Sequence, residues 1–284
     1  MSKIAIVTDS TAYIPSDLVK QYNLTVTPQV LIWGEVTYQD GVDIQPDEFY
    51  ARLKTSKVMP TTSQVSPSTM KSTFESLIEK DNVILGIFLS AKLSGTIQSA
   101  IQAIDMMGSA GEKVTFVDSN STAMAMGFQV LAVARAVEDG ASLEEAVALA
   151  EKAREHTGVY FAVDTLEFLH RGGRIGGAQR FLGTALNMKP VLAVQDGRVE
   201  AVERIRTKSK ALERVLELVI EQTQGKTPIR LATLHASAEG EAKALLDKAT
   251  KELNATESIL TTVSPVVGTH AGPGTVGLAY MAGM

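Results

Sequence analysis

At 284 residues the chain exceeds what one hydrophobic core usually serves, so two α/β units, or one unit with an appended lobe, are expected. A formal charge of −5 weighs against a general attraction to nucleic acid or anionic membrane, and 45% apolar with 21% charged residues fits a folded soluble protein. With no cysteine, disulfides, thiolate metal sites and thiol nucleophiles are excluded; the N-terminal apolar run, Ile4 to Val7, is too short for a signal-peptide core and no stretch elsewhere approaches the length of a membrane span, so the expected location is the cytoplasm, without stable membrane insertion.

The first half alternates short Ile/Val-rich runs with longer amphipathic segments, which predicts a parallel sheet with crossover helices. Ile4 to Val7 reads as the first strand, Pro15 opens a helix over Ser16 to Tyr22, and Val26 to Trp33 reads as one further strand ending at Gly34. Helices follow at Pro46 to Lys54 and Pro67 to Lys80. Val83 to Leu89 is a buried strand, Thr96 to Met107 a helix, and Val114 to Val117 a strand. Ser121 to Glu138 is a helix apolar on nearly every side, hence central. Ser142 and Glu145 have the spacing of a capping box, opening a helix that runs to about His156. Gly158 then marks the boundary between an N-terminal domain, 1–157, and a C-terminal domain, 158–284.

The second domain begins with a strand at Val159 to Val163 and a short helix at Leu166 to His170, before the glycine-rich 171–177. Val191 to Val194 and Val199 to Ile205, joined by Asp196-Gly197, predict a tight hairpin, because that dipeptide tolerates the positive φ angles the turn demands. Helices at Lys208 to Gln224 and Glu239 to Leu253, with strands at Ile229 to Leu234, Ile259 to Val263 and Val276 to Tyr280, complete a mixed α/β lobe.

Four segments gather hydroxyl residues and glycine where loops are expected past the carboxyl ends of strands, the usual ligand position in open α/β sheets: 8–11, 90–96, 118–122 and 269–274. A fifth, 61–64, precedes a helix. Helix capping explains any one of them; together they suggest a site. Ser94-Gly95-Thr96 stands at a helix start, where unpaired N–H groups favour an anion, and phosphate and carboxylate both remain open. His270 precedes Gly272-Pro273-Gly274 and would be presented at a fixed angle. The four histidines share no metal-ligand spacing, and no phosphate-binding loop, nucleophile elbow or His-Glu-x-x-His helix is present. Arg171 with Arg174, and Arg204 with Arg206, are local basic pairs suited to a helix C-terminus, to phosphate or to an acidic partner.

Taken in order, Thr8 to Ala12, Thr62-Ser63-Gln64 with Ser66-Pro67, Leu93 to Thr96 with Gln98 to Ala100, Asp118-Ser119, Thr165 to Leu169, Arg171 to Ile175, Lys189-Pro190 and His270-x-Gly272-Pro273-Gly274 resemble the DegV family of bacterial fatty-acid-binding proteins, some of which are the acyl-binding subunit of a fatty acid kinase. One departure is Ala91-Lys92, where a Ser-Gly type pair is expected. The resemblance implies a two-domain DegV-like fold with the ligand between the domains, no cofactor and no catalysis by the chain itself. Thr62, Ser94 and His270 would hold the carboxylate of one long-chain fatty acid, with Ser63, Gly95 and Thr96 as neighbouring contacts. Arg171, Arg174 and one of Arg204 and Arg206 would dock a kinase that phosphorylates the bound acid.

Physical chemistry suits such a ligand. Each methylene removed from water contributes about 0.8 kcal/mol, so some fourteen offer roughly 11 kcal/mol before ordering costs. The carboxylate loses hydration and needs donors in return, and neutral hydroxyls would leave it more reactive than an arginine would. Two groups are candidate walls for the tail: Met124, Met126, Phe128, Val130 and Leu131, and Phe181, Leu182, Leu186 and Met188; for either, core packing is the stronger explanation. An alternative makes Ser94 a nucleophile and His270 its base in acyl transfer or ester hydrolysis. A sugar-phosphate or nucleotide binder would use the same loops.

Overall fold

In the computed structural model, residues 3–183 and 188–284 are described. Strand β1 (Lys3–Asp9) opens the chain, and Asp9 caps a single 3-10 turn at Ser10–Ala12 by accepting from Thr11 N. Helix α1 (Ser16–Gln21) leads to β2 (Thr25–Thr27), β3 (Val30–Trp33) and β4 (Val36–Gln39). The single strand expected over Val26 to Trp33 is thus two strands in different sheets. Pro28 lies between them and has no N–H to offer a ladder.

Helix α2 (Pro46–Leu53), β5 (Thr61–Ser63) and α3 (Pro67–Ile78) come next. The second buried strand, β6 (Asn82–Phe88), is followed by α4 (Thr96–Met107), β7 (Val114–Asp118), α5 (Ala123–Glu138) and α6 (Leu143–Ala153), whose Ser142–Glu145 capping box forms in full. Strands β2-β1-β6-β7 make a wholly parallel sheet, with α3 and α4 packed on one face. Strands β4-β3-β5 make a small antiparallel sheet in which Thr62 pairs with Leu31.

The remainder is β8 (Thr157–Ala162), α7 (Glu167–Arg171), β9 (Lys189–Gln195), β10 (Arg198–Ile205), α8 (Lys208–Thr223), β11 (Ile229–His235), α9 (Glu239–Leu253), β12 (Glu257–Thr262), α10 (Pro265–Ala271) and β13 (Val276–Ala282). Its six-stranded sheet runs β10-β9-β8-β13-β11-β12, antiparallel except for β11 with β12. Asp196 and Gly197 take the positive φ angles the hairpin turn requires, 48° and 77°. The fold is therefore the expected α/β type: a parallel first sheet, and a mixed second one.

Helix α5 holds the two large sheets together. Every side chain from Ala123 to Leu131 is buried, because one flank packs on β1 and β6 and another on β8, β11 and β13. Gly127 permits the approach: a Cβ there would stand 2.5 Å from the Ala12 carbonyl oxygen. Helices α8 and α9 cover the opposite face of the six-stranded sheet. Among the described residues no helix is long and apolar enough to cross a membrane.

Candidate functional site

The loops leaving β1 and β6 and the start of α5 converge at the carboxyl edge of the parallel sheet, where they meet the inner face of the six-stranded sheet and α10. A slot lies between them, lined at one end by Thr62, Ser63, Ser94, Arg174 and His270, and elsewhere mainly by apolar side chains, with Thr11, Tyr13, Gln29, Thr122 and Thr275 among them. Its cavity volume of about 110 Å³ is several times what one water needs, so it is no packing defect, and its walls offer water few partners.

At the polar end, Thr62 on β5 and His270 in the last turn of α10 meet at 2.8 Å, Oγ1 to Nε2. Placing His270 on a helix corrects the expectation of a rigid loop: α10 begins at Pro265, capped by Ser264, and only Gly272-Pro273-Gly274 is the turn that ends it. A Cβ on Gly172 would stand 2.0 Å from His270 Nδ1, so that position must remain glycine for the ring to sit there. Nδ1 is buried without a hydrogen-bond partner among the described residues. Burial first, then the nearby Arg174 charge, holds the His270 imidazole down to about 4, so it is neutral near pH 7.

Ser94 stands beside α4, whose start at Thr96 agrees with the sequence reading, with Gly95 at the cap position. The three residues diverge in role. Ser94 faces the slot, whereas Thr96 is fully buried and shares hydrogen bonds with Ser94 Oγ (2.9 Å) and Gln29 Nε2 (2.9 Å). Gly95 backs onto the Gln64 amide, which a Cβ would approach to 3.1 Å. Gln29, buried just past Pro28, is a site residue that sequence reasoning missed; no local pattern marks it.

The arginines also separate. Arg174 lines both the slot and an adjoining surface cleft, donating from Nε to the Leu93 carbonyl (3.1 Å) and from a terminal nitrogen to the Gly172 carbonyl (2.7 Å). A guanidinium therefore stands at the mouth, where only uncharged donors were expected. Arg171 lines the cleft from outside and pairs with Glu167 at 2.6 Å. Arg204 lies over the Phe181 ring at 5.1 Å and Arg206 is exposed; neither lines the cleft.

Among the described residues, neither expected wall lines the slot. Met124, Met126, Phe128, Val130 and Leu131 are wholly buried core, and of α5 only Ala123 reaches the slot. Phe181, Leu182 and Met188 do not line it, and Leu186 lies outside the described residues. The apolar walls are single residues from many elements, among them Leu89, Val159, Phe161, Val194, Leu234 and Val263. Ser94 and His270 bond to Thr96 and Thr62 respectively, so the nucleophile–base contact that the hydrolytic alternative requires is not formed among the described residues. No group of three or more metal-ligating side chains occurs among the described residues.

Comparison with known proteins agrees with this architecture. The family described as "Uncharacterised protein, DegV family" matches residues 3–283. A DegV domain-containing protein of Streptomyces coelicolor is 37% identical over 277 residues, 97% of either chain. A solved DegV family protein from Thermus thermophilus, described as fatty acid binding, superimposes with a TM-score of 0.93 at 37% identity over 99% of both chains. DegV of Bacillus subtilis, described as a fatty acid binding protein, gives 0.90 at 32% identity over 99% of this chain and 100% of its own. With the match spanning both sheets and the slot between them, the chain belongs to the DegV family.

Proposed function

We propose that the slot binds one long-chain fatty acid, its carboxylate at the Thr62–Ser94–His270 end and its tail among the aliphatic side chains between residues 1–157 and 158–284. The observation that carries this reading is the lining of the slot: Thr62, Ser63, Ser94 and His270 offer a cluster of uncharged polar groups, and most of the other lining residues are apolar. The solved relatives that bind fatty acids support it.

The hydrogen-bond chains explain how neutral groups would grip an anion. If His270 donates from Nε2 to Thr62 Oγ1, the Thr62 O–H is free to donate into the slot. Gln29 Nε2 donates to Thr96, Thr96 can pass a donor on to Ser94 Oγ, and the Ser94 O–H is likewise left to point at the ligand. Ser63, Gly95 and Thr96 act as neighbours that fix these donors, and Arg174 adds positive charge at the mouth. The ligand supplies its own chemistry; the chain holds it.

The surface cleft beside the head bears on presentation to a kinase. Thr62, Arg174 and His270 border both cavities, so a phosphoryl donor entering the cleft would meet the carboxylate directly. We place Arg171 and Arg174 at that contact, with Arg204 and Arg206 as outlying docking charges. Native mass spectrometry of protein purified from cells tests the ligand: an added mass equal to one long-chain fatty acid is expected, and a phosphorylated polar ligand would overturn the reading. Ser94→Ala should lose most bound lipid while its melting temperature stays close to that of the parent. Full occupancy in that variant would remove Ser94 from the head site.

A further inference from the structure

Of the hydroxyl-rich segment 118–122, only Thr122 lines the slot; Ser119, Asn120 and Ser121 border a separate polar cleft of about 650 Å³. The cleft opens where two strands part. The ladder between β8 and β9 runs from Ala162–Val191 to Tyr160–Ala193 and stops there, although β8 reaches back to Thr157 and β9 continues to Gln195. Residues from both parted ends border the cleft, together with the segment after β7, one residue of α5 and the end of α6 with the turn that follows it. Among the described residues the slot and this cleft share only Val159 and Val194, so what the cleft binds does not depend on the fatty-acid reading.

The α5 residue is Gln129, which is wholly buried. The Ser119 carbonyl needs a donor, which fixes the orientation of the amide: Nε2 serves that carbonyl at 3.2 Å and reaches Thr157 Oγ1 at 2.9 Å. Oε1 is thereby left as an acceptor with no partner among the described residues, and Arg154 Nε, also buried and bordering the cleft, is a donor without one. Two such groups cost stability unless something in the cleft bonds to them. The phenols of Tyr160 and Tyr280 border the same space, and burial raises both, so they are neutral donors. Charge narrows the choice of ligand. Glu151, Glu155 and Asp196 stand around the cleft against Arg154, so a phosphate or carboxylate would meet net repulsion. Hydroxyl groups, which donate and accept without charge, match what remains.

We infer that this cleft is a second binding site, for a neutral polyhydroxylated molecule of sugar size. Gln129 Oε1 accepts from one ligand hydroxyl, Arg154 Nε donates to another, and the exposed Gln195 adds a contact from β9. The cleft volume lies within the range of small-molecule sites, about 300–1,000 Å³.

Ligand-observed NMR titration with glucose, and with phosphorylated glucose as its anionic counterpart, tests the site. Glucose should saturate with a Kd on the order of 1 mM, and the phosphorylated sugar should bind several-fold more weakly. Gln129→Leu, of similar volume but without the acceptor, should weaken glucose at least about fivefold, and Gln195→Ala about threefold. Displacement of a fluorescent fatty acid from the slot should be unchanged in both. If glucose does not saturate at about ten times the expected Kd, the two buried groups are served by water and the inference fails. Equal binding of glucose and its phosphate ester would overturn the neutral class, and parental affinity in the variants would place the sugar elsewhere. Should Gln129→Leu fail to fold by thermal melting, Gln195→Ala and Gln222→Ala, both exposed positions on the cleft, decide.

Discussion

His270 shows what a buried imidazole costs and what it supplies. Its ordinary value of 6.5 is lowered to about 4, chiefly by burial, with Arg174 adding repulsion. As pH falls, the unfolded chain takes up the proton first, so stability is complete above about 6.5 and is lost progressively down to about 4. The loss amounts to about 3 kcal/mol at most. Asp9 and Asp40 act in the opposite sense, since burial raises both carboxyls and the folded state protonates first. Only a difference between two proteins isolates the histidine. The stability gap between the parent and His270→Gln, from urea unfolding, should therefore shift in favour of the variant on going from about pH 7.5 to pH 4.5. A gap that does not change with pH would mean the ring titrates normally.

Elements differ in how far their own residues determine them. Strands β1, β6 and β7 are buried aliphatic runs between amphipathic helices, and the β9–β10 hairpin carries its turn in Asp196-Gly197, so each was legible locally. Strand β5 was not: Thr61–Ser63 has no apolar alternation and is a strand only because β3 lies beside it. Helix α10 was hidden as well, with Gly268 in its interior and Gly272 at its end. Gly268 is explained by packing alone, since a Cβ there would stand 2.4 Å from the Tyr50 hydroxyl. The polar residues of the candidate site were legible as hydroxyl clusters and one histidine, whereas the apolar lining, a residue or two from each of many elements, forms no pattern along the chain. Asp40 shows how α10 is held: it accepts from Val266 N at 3.1 Å in the first turn of the helix and from Ser10 Oγ at 2.6 Å. Asp40→Ala should destabilise the fold by about 2 kcal/mol and weaken fatty-acid binding too, because His270 rides on the same helix. Val219→Ala, a core change on α8 remote from the slot, provides the control. Equal binding in the two variants at matched stability would show that α10 is positioned without Asp40.

At the scale of the molecule, the slot draws its walls from both large sheets and from α10, with α5 as the layer they share. A ligand there touches both halves at once, and anything that binds the folded chain alone stabilises it by mass action. At a free concentration of about one hundred times Kd the gain is about 2.7 kcal/mol, which in a chain of this size corresponds to a rise in Tm of roughly 5 °C. Since α5 buries its side chains against both sheets, neither half should melt while the other stays loaded. Protein stripped of lipid should therefore melt in one transition at lower temperature, and added fatty acid should move that whole transition upward with concentration. Two separate transitions, of which lipid shifts only one, would place the ligand inside a single half and refute a slot built from both. Scanning calorimetry of the stripped and reloaded protein distinguishes these outcomes, and Phe128→Ala on α5 sharpens the comparison. The cavity it leaves should cost about 3–5 kcal/mol and weaken the coupling between the sheets, while leaving every slot-lining side chain in place.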